Sequence, residues 1–203
     1  MHIVNNAAIK ELFQKDSIMI KIHEQFGHPP NWQRPIGFIA LVQIILEQQV
    51  HLNAAKAHFN ALRKFLGIIT VTELLKMTDL QFRNCQISKQ KTAYLRALAT
   101  AVETGLDFKE LLHLEDDEVR KKLLAIKGIG HWTIDMYLMQ CHQSKNIIPL
   151  GDITIRTTIA ELYGIKNKNS NAIHTLVKLW SPYGSLASYF LWHYYLKKRK
   201  RTY

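Results

Sequence analysis

Apolar residues recur at helical spacing along almost the whole chain. Phe38, Leu41, Val42 and Ile45 fall at i, i+3, i+4 and i+7, one buried face of a helix. Ala54, Ala57, Ala61, Leu62 and Phe65 predict a second helix, and Ala7 to Phe26 predict one near the N-terminus. Thr72 to Leu75 begins a short helix. Ser88 is placed to cap a longer one that runs through Tyr94, Leu95, Leu98 and Ala99. Asp116 or Asp117 opens a helix that ends at Ile126. Asp152 to Tyr163, Asn171 to Trp180 and Ser185 to Lys198 complete the series. No alternating apolar–polar run lasts long enough to build a sheet, so the expected fold class is all-α. Turn-forming residues interrupt the pattern at Gly27-His28-Pro29-Pro30 and again from Ser144 to Gly151.

A chain of 203 residues can form one domain or two small lobes with a sizeable core. Charge sharpens this picture. Lys and Arg number 27 against 16 Asp and Glu, a formal charge of +11, which favours a polyanionic partner such as nucleic acid. The two cysteines, Cys85 and Cys141, cannot supply a four-thiolate iron–sulfur cluster and are expected to stay free in a reducing compartment. The ten histidines show no tight ligand spacing, so no zinc site is implied. The first residues, MHIVNNAAIKELFQKD, have no apolar signal core, and no run of about 18 apolar residues occurs. A soluble intracellular protein without membrane contact is the expectation.

Two stretches concentrate the chemistry. Leu123 to Asp135 (LLAIKGIGHWTID) reads as a helix, a Gly-Ile-Gly hairpin and a second helix. Gly128 and Gly130 allow a tight turn and a close backbone approach to another molecule. A turn that opens a helix presents unpaired N–H groups, which attract anions such as phosphate. Asn146 to Arg156 (NIIPLGDITIR) is an apolar run that ends in a lone carboxylate, Asp152, just before a helical pattern. The N-terminus of a helix favours negative charge there. Asp152 can be an N-cap, a catalytic group, or both.

This combination resembles the helix-hairpin-helix/Gly-Pro-Asp (HhH-GPD) superfamily of DNA glycosylases, and within it the 3-methyladenine DNA glycosylase II branch. The resemblance covers roughly residues 30–195. It implies two helical lobes with the active-site cleft between them: residues 33–144, which contain the hairpin, and residues 1–32 with 147–203. It implies Asp152 as the catalytic carboxylate, stabilising positive charge on the deoxyribose and directing the attacking water. It implies DNA contacts at Lys127, Gly128, Ile129, Gly130, His131 and Thr133. The main-chain carbonyls of Leu124, Ile126 and Ile129 would hold an alkali cation, Na+ or K+, that bridges to phosphate. The segment from Ile44 to His51 resembles the family's minor-groove segment, with Gln49 as the plug for the gap left by a flipped base and Gln48 beside it.

Trp132 stands where glycosylase/lyases of the superfamily carry the lysine that forms a Schiff base. The resemblance therefore implies a monofunctional enzyme, with the indole face available to a cationic alkylated purine. Tyr183, in the turn Trp180-Ser181-Pro182-Tyr183-Gly184, and Trp32 are further substrate-binding candidates. Met136 and Ile153 occupy positions where some relatives carry tyrosine, and Met136 is placed at the substrate site on that ground.

The implied activity is excision of alkylated purines of the 3-methyladenine and 7-methylguanine class from duplex DNA during base excision repair. The alternatives are an oxidised-base glycosylase/lyase and a non-catalytic DNA-binding module. No organic cofactor is implied. The expected partner is double-stranded DNA with damaged bases, bound by a monomer, in bacterial or archaeal cytoplasm or in a eukaryotic nucleus.

Overall fold

The computed structural model describes residues 2–166 and 169–201. Among them no strand occurs. The helices are α1 (Asn6–Lys15), α2 (Ser17–Phe26), α3 (Phe38–Glu47), α4 (Leu52–Leu66), α5 (Val71–Lys76), α6 (Asp79–Asn84), α7 (Lys89–Glu103), α8 (Phe108–Leu111), α9 (Asp116–Leu124), α10 (His131–Tyr137), α11 (Ile153–Leu162), α12 (Ser170–Val177) and α13 (Gly184–Lys198). None of these is long and apolar enough to cross a membrane. The chain divides into two compact units, residues 1–33 with 138–203 and residues 34–137.

The first unit differs from the sequence expectation in the middle of its N-terminal helical stretch and at the point where the chain re-enters it. The apolar rhythm from Ala7 to Phe26 runs through without a break, yet the structure holds two helices. Asp16 takes extended dihedrals between them, and its carboxylate accepts the Ile18 N–H at 2.8 Å. That carboxylate also accepts the Tyr163 hydroxyl at 2.5 Å and the Trp180 indole N–H at 2.7 Å. One side chain thus caps α2 and ties it to the ends of α11 and α12. Burial, followed by the Asp16 carboxylate, pushes the Tyr163 phenol up from its ordinary range.

Residues 138–144, expected with the hairpin, belong to the first unit instead. Their polar contacts explain it. The Tyr189 hydroxyl donates to the Met139 carbonyl, the Ile3 N–H donates to the Gln143 side chain, and the Ser185 hydroxyl donates to the Ser144 carbonyl. α10 gives way to a π-helical turn, Leu138–His142, with which the chain re-enters the first unit. The centre of the first unit is α13, in which every residue from Gly184 to Tyr194 is buried.

The second unit is built on α3, an apolar helix buried along most of its length at Ala40, Leu41, Val42, Ile44, Ile45 and Leu46. α7 carries Leu95 and Leu98, also fully buried. Ser88 caps α7 as its position suggested, accepting the Lys91 N–H at 3.3 Å. Cys85 lies in this core and Cys141 in that of the first unit, both buried and neither in a disulfide.

The hairpin between α9 and α10 closes against α7. Gly128 has φ +89, and a Cβ built there would lie 2.1 Å from Cγ and Cδ1 of Tyr94. The glycine is required twice, by its dihedral and by the ring that covers its α-carbon.

Two stability predictions follow from these contacts. Asp16→Ala removes the acceptor shared by Ile18, Tyr163 and Trp180 and should cost about 2–4 kcal/mol in urea unfolding, with Asp16→Asn costing less. An unchanged midpoint and slope would contradict the role of this carboxylate. Gly128→Ala should cost about 2–4 kcal/mol, the sum of overpacking and a strained dihedral. In a Tyr94→Ala background the same change should cost only about 1 kcal/mol, because the collision is gone and the dihedral cost remains. Equal costs in the two backgrounds would remove Tyr94 from the explanation.

Candidate functional site

The apolar run before Asp152 is fixed to the start of α13. Ser185 donates its N–H to the Lys145 carbonyl at 3.0 Å, and its hydroxyl oxygen accepts the Ile147 N–H at 2.9 Å. The Gly184 N–H reaches the Asn146 side chain at 3.3 Å. A Cβ on Gly184 would sit 2.8 Å from Cγ1 of Ile148, so this close approach depends on a bare α-carbon. The chain then turns tightly, with the Asp152 N–H bonded to the Pro149 carbonyl at 2.8 Å.

Asp152 emerges from that turn as the N-cap of α11. Its Oδ1 accepts the N–H groups of Thr154 at 2.7 Å and Ile155 at 3.3 Å. The residue is half-buried, and these two backbone N–H groups hold its Oδ1. Ile153 beside it is 62% exposed, a large apolar side chain presented on the surface.

The other residues of the first unit occupy supporting positions. Trp32 meets Tyr189 edge-on at 5.2 Å and Trp192 at 6.2 Å between ring centroids. Tyr183 is half-buried at the start of α13, its N–H bonded to the Trp180 carbonyl at 2.6 Å. Part of the basic tail is occupied internally: Lys198 pairs with Glu161 and with the Tyr194 hydroxyl, and the Arg199 guanidinium lies 4.0 Å over the Tyr195 ring. The Lys198 bond, more than any other influence, holds the Glu161 carboxyl below its ordinary range.

In the second unit the hairpin turns through Ile126 N–H to the Leu123 carbonyl and Ile129 N–H to the Ile126 carbonyl, both 3.1 Å. The Ile126 and Ile129 side chains are buried beneath it, while Leu124, Lys127, Gly130 and His131 are exposed. Trp132 follows, half-buried, on the first turn of α10. Gln49 stands exposed at the end of α3 with φ +54.

Several residues sit differently from the sequence expectation. Thr133, read as a DNA contact, is 2% exposed, and its hydroxyl oxygen accepts the Gln48 amide at 2.9 Å. Gln48, read likewise, also donates to the Gly128 carbonyl at 2.9 Å. Met136, placed at the substrate site, is 4% exposed on the packed face of α10 with Ile134 and Tyr137, and offers no open surface to a substrate. Asp135 is buried against Arg120 at 2.6 Å and ties α10 to α9. Its carboxyl is raised from the ordinary range because burial outweighs the Arg120 hydrogen bond.

Two functional contributions were not visible in the sequence. Tyr94, on a helix read as structural, is the surface on which the hairpin turns. Lys91 is buried with Nζ bonded to the Leu46 carbonyl at 2.6 Å, and burial lowers its ammonium from the usual lysine range. The signal for Lys91 was its place on the apolar face, four and seven residues before Leu95 and Leu98.

Among the described residues no group of three or more His, Cys, Asp or Glu side chains could hold a metal. Asp152 belongs to the first unit, and Trp132, Gln49 and the hairpin belong to the second.

Comparisons with known proteins give this geometry its context. YfjP of Bacillus subtilis, which carries a DNA-3-methyladenine glycosylase name, is 28% identical over 190 residues, 89% of this chain and 66% of its own length, just under two thirds. The crystal structure of a DNA-3-methyladenine glycosidase from Bacillus halodurans superimposes with a TM-score of 0.78 at 29% identity, covering 98% of this chain and 94% of that one. The Schizosaccharomyces pombe 3-methyladenine DNA glycosylase Mag1, solved in complex with abasic DNA, gives a TM-score of 0.81 at 25% identity, covering 96% and 97%. The family model of the HhH-GPD superfamily base excision DNA repair proteins matches residues 42–182, more than half of the chain. The chain belongs to the HhH-GPD superfamily.

Proposed function

We propose that this protein is a monofunctional DNA glycosylase that excises alkylated purines from duplex DNA in base excision repair. The observation that carries the reading is Asp152, a carboxylate fixed by two backbone N–H groups at the head of α11 in a chain of this superfamily. The similarity to a Bacillus halodurans glycosidase and to a glycosylase bound to abasic DNA supports the substrate class and a double-stranded DNA partner.

The chemistry suits these residues. A purine methylated at N3 or N7 carries positive charge and leaves as a neutral base, so the reaction needs little general acid. Breaking the glycosidic bond develops positive charge on the sugar. A fixed carboxylate stabilises that charge without reorganising, and it can orient or deprotonate the attacking water. Trp132 offers an aromatic face to a cationic base and cannot form a Schiff base. The turn from Lys127 to His131 would grip phosphate, and Gln49 would fill the gap left by the flipped nucleotide. The main-chain carbonyls of Leu124, Ile126 and Ile129 would hold an alkali cation, a hard ion that takes oxygen donors. Ile126 already accepts the Ile129 N–H, and its carbonyl keeps a second lone pair for that purpose. The cation would add positive charge beside phosphate. We place the activity in a monomer, in cytoplasm or nucleus.

The direct test is release of free bases from methylated duplex DNA, identified by chromatography. Asp152→Asn should reduce release by more than about a hundredfold while DNA affinity stays the same or rises, since a negative charge near phosphate is removed. Near-wild-type turnover in this variant would sink the catalytic assignment. Borohydride should trap no covalent adduct, and the abasic product should stay unnicked until alkali or heat is applied. Efficient trapping would redirect the reading to a glycosylase/lyase.

A further inference from the structure

We propose that Gln48 is a positioning residue, a side-chain strut that locks the hairpin to the loop carrying Gln49 so that phosphate grip and plug move as one body. The inference rests on the role given to Gln49 above and replaces the expectation that Gln48 touches DNA.

The geometry is specific. A side-chain amide has two N–H donors, and here the Gln48 nitrogen lies 2.9 Å from the Gly128 carbonyl and 2.9 Å from Thr133 Oγ1. These acceptors are 80 and 85 residues away in sequence, one in the hairpin and one on the first turn of α10. Thr133 is buried, so a lost donor there would not be replaced readily by solvent.

Both ends of the strut are themselves immobilised. Gly128 is seated on the Tyr94 ring and has no room to shift toward α7. On the loop side, the buried ammonium of Lys91 holds the Leu46 carbonyl in the last turn of α3. An ammonium there also complements the negative end of the helix. Directly after these anchored positions the backbone of Gln49 is in the left-handed region, φ +54. A non-glycine residue stays in that region only where its surroundings over-determine it. The bonds of Gln48 and of the Leu46 carbonyl fix the chain immediately before it.

The mechanical consequence concerns base flipping. Extruding a nucleotide costs unpairing and unstacking energy, and the plug compensates only if it enters the stack while the phosphates are held. A plug on a loop free to rock against the grip would yield to the duplex. Locking the two removes that freedom, and the benefit is greatest where the duplex resists most.

Single-turnover base release at saturating enzyme tests this, using a methylated purine either in a normal pair or opposite an abasic site. Gln48→Leu and Thr133→Val should each slow release from the normal pair, Gln48→Leu by about tenfold or more. Opposite an abasic site the loss should shrink to about twofold, because less flipping energy is required. Thr133→Ser keeps the acceptor and should retain the wild-type rate on both duplexes. Adding Thr133→Val to Gln48→Leu should cost little more than Gln48→Leu alone, since both break one strut. The fluorescence rise of a 2-aminopurine beside the lesion should fall with the rate in Gln48→Leu. An equal loss on both duplexes would mark Gln48 as a general structural residue and overturn the proposal, as would wild-type rates in Gln48→Leu. A wild-type protein that releases no methylated base would overturn the function and this inference together, whereas an active wild type with an indifferent Gln48→Leu overturns the strut alone.

Discussion

The contact between the Gly128 α-carbon and the face of the Tyr94 ring governs the second unit. It sets how deeply the turn between α9 and α10 can sink, and so where the exposed side of that turn lies. Tyr94 is held in turn by α7, whose neighbouring Leu95 and Leu98 are fully buried. α7 also sends Lys91 to the end of α3. The exposed surface from Lys127 to His131 therefore depends on a ring on a separate helix more than on the local turn. Overpacking in such a place is felt at once, because the neighbouring atoms are already at contact distance.

The first unit answers a similar problem with polar groups. Its N-terminal helices are tied to the rest in part by one carboxylate, Asp16, which gathers a backbone N–H, a phenol and an indole. Its reactive candidate, Asp152, is gathered in the same manner by two backbone N–H groups. The two aspartates look alike as N-caps. What separates them is that Asp16 finds its partners inside the unit on Tyr163 and Trp180, while Asp152 follows a tight turn pinned to the head of α13.

Much of this was legible before any coordinates, for a physical reason. Helices write their faces into the chain at short range, so α3, α7 and α13 could be read from spacing, and Ser88 and Asp152 from the polar residue ahead of an apolar run. The Gly-Ile-Gly turn is legible because the positive dihedral of Gly128 is a local requirement, while the Tyr94 ring that also demands a bare α-carbon is not. The break at Asp16 was hidden, since Ile9, Leu12, Met19 and Ile22 keep helical rhythm across it. The burial of Thr133 and Met136 was hidden as well, because which face of α10 is covered depends on residues far away in sequence. Gln48 is the clearest case: nothing within ten residues of it marks a partner at Gly128 or Thr133. Lys91 is buried against the usual habit of lysine, although its register points inward.

Thiol placement has a consequence for the chemistry this protein is proposed to accompany. A thiolate is the softest nucleophile a protein ordinarily carries, and reagents that methylate purines attack it readily. The chain has only Cys85 and Cys141, and both are closed off in the cores. Burial also raises the Cys85 thiol above its ordinary range, so little thiolate forms. Agents that create such lesions would thus find no accessible sulfur nucleophile of cysteine on the protein proposed to remove them.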